Sequence, residues 1–219
     1  MELTSTAMAD LTEEQIQIKT KRSLLWFAII SIVMLFAGLT SGYIVRQGEG
    51  KWVQFALPSL FSISTIIIVA SSVTMEWARR SVRKNNLSAM RTALLLTLLL
   101  GVGFMVIQYL AWSDLFHKGI AFTGRVQDIK TSFTYIPGKD KLADNSNVGN
   151  VAGSFLYVIT GLHVLHLLAG IIALIVVFSH ANQNKYTSEK HNGVSMCTIY
   201  WHFLSGLWVY LFFFLLYIR

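Results

Sequence analysis

His163 and His166 stand three residues apart in a stretch, residues 153–170, that is otherwise apolar enough to cross a bilayer. That spacing puts both rings on one helical face. A third histidine, His202, lies in another apolar run, beside Trp201 and six residues before Trp208. Imidazole suits iron, copper and zinc, and histidines on spanning helices can hold b-type haem. In lipid a polar side chain also needs a partner, so interhelical hydrogen bonding, with Gly161 and Gly170 allowing close approach, is the structural reading. A proton relay is the third reading, and it calls for a buried Asp or Glu.

Depth argues against shared ligation. Counted from the inner ends of their spans, His202 lies about 4 residues deep, or ~6 Å, and His166 about 13 residues deep, or ~20 Å. A gap of roughly 14 Å is far beyond a coordination distance of about 2 Å. An i,i+3 pair supplies two ligands, and no acid or cysteine stands at its depth. Glu76 falls at the inner end of span two and Asp114 at the outer end of span three, so no acid lies near a bilayer centre. The expectation is that this chain houses no catalytic, metal or cofactor-binding residues, and that Gly161, His163, His166, Gly170, Trp201, His202 and Trp208 form a helix-packing signature.

The elements that must position these residues follow from composition. Of 219 residues, 54% are hydrophobic and 13% charged, with a mean hydropathy of +0.55. The apolar residues gather into long runs, which marks an integral membrane protein. The net charge of +7 comes from basic residues flanking these runs, without an aromatic-basic patch for nucleic acid. Cys197 is alone, which excludes an internal disulfide. The first 23 residues are polar and the run after them is too long for a signal peptide core, so the first span is expected to stay in the mature protein.

The predicted architecture is all-α, a polytopic membrane protein with five transmembrane helices. The spans are Leu24–Val45, Val53–Ala78, Thr92–Leu115, Ala152–Ser179 and Thr198–Ile218. Residues 1–23 form a polar lead, with a Thr12-Glu13-Glu14-Gln15 capping box and a Leu11–Ile16 staple predicting a helix from about residue 13. Residues 24–219 form the membrane domain. In span one, Gly38 and Gly42 have small-xxx-small spacing. In span two, Ser62, Ser64, Thr65, Ser71, Ser72 and Thr74 are expected to face other helices or bond their own backbone. Aromatic residues near the ends of the last span read as interface anchors.

Arg79, Arg80, Arg83, Lys84 and Arg91 make the densest short basic connection, which places it in the cytoplasm. The N-terminus is then inside and the C-terminus outside, with ten Lys and Arg on inner segments against eight on outer ones. A long polar loop, residues 116–150, lies outside, with turns expected at Pro137-Gly138 and Asp144-Asn145-Ser146-Asn147.

These residues resemble a family. Gly153-Ser154-Phe155, then Thr160-Gly161-Leu162-His163-Val164-Leu165-His166 and Gly170, are similar to a signature helix of subunit III of haem-copper respiratory oxidases. Tyr200-Trp201-His202-Phe203 with Trp208 resembles that family's final helix. Ser64-Thr65, Ala70-Ser71-Ser72-Val73-Thr74 and Trp77-Ala78 fit its pattern in span two; Leu100-Gly101, Phe104, Gln108 and Trp112 fit span three. The resemblance is to the five-helix form, and it covers all five spans.

It implies a non-catalytic subunit of a proton-pumping cytochrome c oxidase, which reduces oxygen to water in aerobic respiration. Haem and copper are then expected in partner subunits I and II, and phospholipid in a cleft of this one. A bacterial-type inner membrane is implied, and loop 116–150, longer than the family usually has, is expected to contact further respiratory subunits. Deleting 122–146 should then weaken a partner's attachment while the spans still insert. Acids that the family often carries are replaced here by Ile32, Ala111, Ser195 and Ser205, so the resemblance carries no proton-handling acid onto those positions. Alternatives from other classes are a quinol-oxidising relative, a small transporter or channel, and a haem-binding membrane anchor.

Overall fold

The computed structural model describes residues 13–49, 52–120, 122, 134–136, 150–183, 186–187 and 191–218. Five long helices carry it: α1 (Glu13–Gly48), α2 (Ser59–Arg83), α3 (Leu87–His117), α4 (Val151–Asn182) and α5 (Asn192–Tyr217). All five are long and apolar enough to cross a membrane. Two three-residue strands, β1 (Trp52–Gln54) and β2 (Thr134–Ile136), pair antiparallel with Trp52 opposite Ile136.

α2, α3, α4 and α5 form a closed ring in which each helix packs on the next and α5 returns to α2, while α1 lies outside against α4 and α5. The polarity is that of a protein in lipid. Met34, Ile66 and Val73 are about 70% exposed on the outside, at 71%, 70% and 67%. Ser64, Ser71, Thr97, Gln108, Thr160 and His163 are fully buried within. Outward apolar side chains lose nothing when the surrounding solvent is hydrocarbon, whereas polar ones must find partners between helices.

Helix ends differ from the sequence expectation for local reasons. Span two begins at Ser59, not Val53, because residues 52–54 are extended in β1 and Pro58 takes the N-cap position. The residue before a proline is pushed out of the helical region, which separates strand from helix. α1 runs from Glu13 without a break, so the polar lead from residue 13 continues span one. The capping box and staple involve Leu11 and Thr12, which lie outside the described residues. So do the turns predicted at 137–138 and 144–147.

The basic connection is mostly helix. Arg79, Arg80 and Arg83 occupy the last turns of α2, where cations suit the helix dipole. Only Lys84, Asn85 and Asn86 join it to α3. Asn85 takes φ 57, in the left-handed region, which a short amide side chain tolerates. Asn86 caps α3 by accepting the Ala89 N–H at 3.0 Å. Replacing Asn85 by Val should cost about 1–2 kcal/mol through the left-handed penalty, and replacing it by Gly should cost almost nothing. Unfolding midpoints in detergent check this; equal losses would exclude the backbone explanation.

Of the paired glycines in α1, only Gly42 meets a neighbour among the described residues, the Phe155 ring 3.7 Å from where a Cβ would sit. A Cβ at Gly38 would meet nothing within 4 Å.

Candidate functional site

Trp201 and Trp208 lie seven residues apart on α5, two turns along one face. Both are fully buried, at 0% exposure. The interface-anchor reading of aromatics near the ends of the last span does not hold for Trp201, because both indoles are aimed at the centre of the ring of helices. Trp201 donates its Nε1–H to Ser71 Oγ of α2 at 3.1 Å. Its six-membered ring lies over Gly101 of α3, where a Cβ would stand 2.8 Å from Cη2, and against Gly170 of α4, at 3.6 Å from Cε3. Trp208 donates to Thr65 Oγ1 of α2 at 3.0 Å. Its ring stands edge-on to Phe104 of α3 at 4.9 Å and tilted against His163 of α4 at 4.9 Å. Each tryptophan therefore joins α5 to all three other helices of the ring.

The hydroxyls of α2 are what make this possible in an apolar setting. An indole N–H in lipid needs an acceptor, and Thr65 and Ser71 each supply one while bonding their own backbone, to Phe61 O and Ile68 O. Ser64 bonds Phe61 O, Ser72 bonds His202 Nδ1, and Thr74 bonds Thr97 of α3. Ser62 departs from the expectation, being exposed on the outer face.

The three histidines of the signature go to three different places. His163 is fully buried between Phe104 and Trp208, and neither ring nitrogen has a hydrogen-bond partner among the described residues. His166 is half-buried and turned towards α1, with Phe36 at 5.8 Å and its Nδ1 bonded to Leu162 O at 2.6 Å. His202 faces α2: its Nδ1 meets Ser72 Oγ and its Nε2 lies 3.6 Å from Glu76 Oε2. Direction separates His166 from His202 more than depth does. Gly170, one turn from His166, packs on Trp201 and Leu204, so the two histidines are offset by only about one turn, ~5 Å. The 14 Å expected from sequence is too large because α5 begins at Asn192 and α4 ends at Asn182, not at Thr198 and Ser179.

The two glycines of the signature also part company. A Cβ at Gly170 would meet Leu204 Cδ1 at 3.2 Å, a real close approach, whereas one at Gly161 would meet nothing within 4 Å. Among the described residues, Gly161 is therefore not a close-approach point. The glycine that the packing does need, Gly101, matched the sequence pattern without revealing its partner.

Within the described helices, the charged side chains lie towards the ends. Glu76 accepts two hydrogen bonds from Arg79, Nε to Oε2 at 2.8 Å and Nη2 to Oε1 at 2.9 Å, and one from Arg80 at 3.0 Å. The i,i+3 and i,i+4 spacings make these pairs readable in sequence; the approach of His202 from α5 was not. Among the described residues, no three His, Cys, Asp or Glu side chains stand together as a metal site. Gln108 is fully buried with both amide atoms unpartnered among the described residues. Trp112, one turn on, donates to Thr160 Oγ1 at 3.1 Å.

Apolar space lies elsewhere. Between α1, α4 and α5 a groove of about 800 Å³ is lined by Leu25, Ile32, His166, Val177 and Cys197, with Lys21 among its lining residues. Tyr200 lines it too and donates its hydroxyl to His166 O at 3.2 Å.

Known proteins are similar to this chain along most of its length. The family described as "Cytochrome c oxidase subunit III" matches residues 52–136 and 129–219. The chain is similar to cytochrome c oxidase subunit 3 of Thermostichus vulcanus, 28% identical over 192 residues, covering 84% of this chain and 80% of that one. It is similar to the Corynebacterium diphtheriae protein of the same name, 28% identical over 188 residues, covering 82% and 79%. The Aedes aegypti protein of that name is 32% identical over 159 residues, covering 72% of this chain and 48% of its own. With five helices long and apolar enough to span a membrane, four of them ringed round two buried tryptophans, and a family match across residues 52–219, the chain belongs to the cytochrome c oxidase subunit III family, as a multi-pass membrane subunit of a haem-copper terminal oxidase.

Proposed function

We propose that this subunit supports the oxidase through helix packing and performs no chemistry of its own. The observation that carries the reading is where the signature residues are spent. Trp201, Trp208, His163 and Gly170 face one another across the ring of helices, and His166 and His202 turn away to different partners. Haem and copper do not fit this constellation, because no two of its imidazoles converge on one point; they belong in partner subunits I and II. Residues 24–219 act as one membrane domain. The N-terminus lies inside and the C-terminus outside, in a bacterial-type inner membrane, with cytochrome c as donor to the complex.

Phospholipid occupies the groove between α1, α4 and α5. Its apolar lining suits acyl chains, and Lys21 suits an anionic headgroup. Loop 116–150 contacts further subunits. Within the chain, the same loop contributes β2, which pairs with β1, so removal of 122–146 would also disturb the α1–α2 connection. Deleting 138–146 spares that strand. The expected result is unchanged insertion of the five spans with weaker retention of a partner during purification; full retention would remove the loop's role.

Affinity purification in mild detergent tests the whole reading. A large haem- and copper-bearing subunit should copurify, and the complex should oxidise reduced cytochrome c in preference to quinol. A Soret band with stoichiometric haem in the isolated chain would overturn it.

A further inference from the structure

On the outer side of the ring, between α2 and α5, a cavity of about 380 Å³ is lined by Ser72, Val73, Glu76, Trp77 and Arg80 of α2 and by His202 of α5. Val73 and Trp77 are exposed there, as are Ile66 and Val69 further along α2, so the cavity opens on an apolar outer surface. His202 stands ten residues from the start of α5, about 15 Å, and Glu76 seven residues before the end of α2, about 10 Å. Both therefore lie well inside spanning helices, yet their side chains keep 39% and 22% exposure. Titratable groups that face out of a membrane bundle call for a partner.

The hydrogen bonds made within the chain leave one donor and one acceptor over. His202 Nδ1 meets Ser72 Oγ; with that hydroxyl donating, the neutral ring carries its proton on Nε2. Nε2 lies 3.6 Å from Glu76 Oε2, beyond hydrogen-bond length. Glu76 accepts two bonds from Arg79 and one from Arg80, and only one of these three falls on Oε2. A carboxylate accepts about four, so the open place is on the oxygen that faces Nε2. An oxygen about 2.8 Å from each atom fits between them, accepting from Nε2 and donating to Oε2. A hydroxyl does both, whereas a carbonyl or an ether does only the first. The carboxylate disfavours an anion, and Arg80 already serves Glu76.

We propose that this cavity binds the ring of a lipid-soluble quinol, with one hydroxyl set between His202 and Glu76 and the ring against Trp77. The volume exceeds what a lone hydroxyl needs and admits one substituted six-membered ring. Trp77 and Val73 supply the apolar wall, and a flat ring packs well on an indole. An isoprenoid tail leaves through the open side and lies along Ile66 and Val69, one and two turns from Val73 on the same face of α2. Binding alone is meant, with no electron transfer at this site. The pocket is separate from the tryptophan core and from the groove between α1, α4 and α5, and it goes beyond the packing role.

The test uses the full chain, wild type and the variants H202L and V73F, titrated with decylubiquinol under argon, with bound ligand counted by native mass spectrometry. The wild type should take up one quinol saturably. H202L removes the donor and should bind about tenfold more weakly. V73F changes an exposed side chain at the mouth, so it should abolish binding at an unchanged melting midpoint. The dimethyl ether of the same quinol has no hydroxyl to donate to Glu76 and should bind wild type about tenfold more weakly. That comparison is made on wild-type protein, so no loss of fold can mimic it. Uptake that does not saturate, equal uptake by wild type and V73F, or equal affinity for quinol and ether would overturn the proposal. The measurement needs this chain alone, so its outcome is independent of whether oxidase subunits copurify.

Discussion

Replacing Trp208 by alanine should destabilise the bundle by about 3 kcal/mol, the low end of the range for emptying an aromatic site. The low end applies because a separated α5 would place its indole in lipid instead of water, so the transfer contribution is small. What remains is lost contact. Trp208 touches Phe61, Phe104 and His163 and bonds Thr65, so its removal strips partners from α2, α3 and α4 at once. It would also leave His163, already without a hydrogen-bond partner among the described residues, beside a cavity. Trp208→Phe keeps a ring and loses the Thr65 bond, a loss of about 1 kcal/mol for an interhelical bond in a membrane. Denaturation midpoints in mixed detergent, with the yield of assembled oxidase, measure both. Equal effects of the two substitutions would mean that the indole N–H, not the packing, holds the site.

The second large effect is expected at Gly101. A Cβ there would stand 2.8 Å from Trp201 Cη2 and 3.1 Å from Cζ2. Both atoms belong to a rigid ring held at its other end by Ser71, so the ring cannot swing away without breaking that bond. Gly101→Val should therefore cost about 2–3 kcal/mol by overpacking. Trp201→Phe, which removes the intruding atoms, should be destabilising alone yet partly rescue the valine. The double substitution should then fall short of the sum of the singles by about 1 kcal/mol. Strict additivity would show that Gly101 and Trp201 are not in contact.

Much of the architecture is legible in sequence because hydrophobicity is local. Each of the five apolar runs is long enough to span by its own composition, whatever its neighbours do. The hydroxyl-rich face of α2 and the Glu76–Arg79–Arg80 spacing are local too. The motifs about Thr160–His166 and Tyr200–Trp208 place the chain in its family, again without knowledge of contacts. The start of α2 at Ser59 is only half legible: Pro58 marks a break, but the extended stretch before it is fixed by pairing with residues 134–136, far along the chain.

Tertiary structure decides what those residues meet. A tryptophan near a span's end is an interface anchor or a core residue according to whether a facing helix offers a hydroxyl, and nothing in α5 itself shows that Ser71 and Thr65 do so. Gly101 and Gly161 are both lone glycines within apolar helices, yet of the two only Gly101 lies under an indole. The spacing of His163 and His166 puts them on one face, but the 60° between them is enough to send one to Trp208 and the other to Phe36. Sequence alone thus determined which segments cross the membrane and what family they form, because burial in lipid is a property of each segment. Only the packing of α5 against the other helices settled which polar groups are partners, because that depends on helix rotation and register, and these are set between segments.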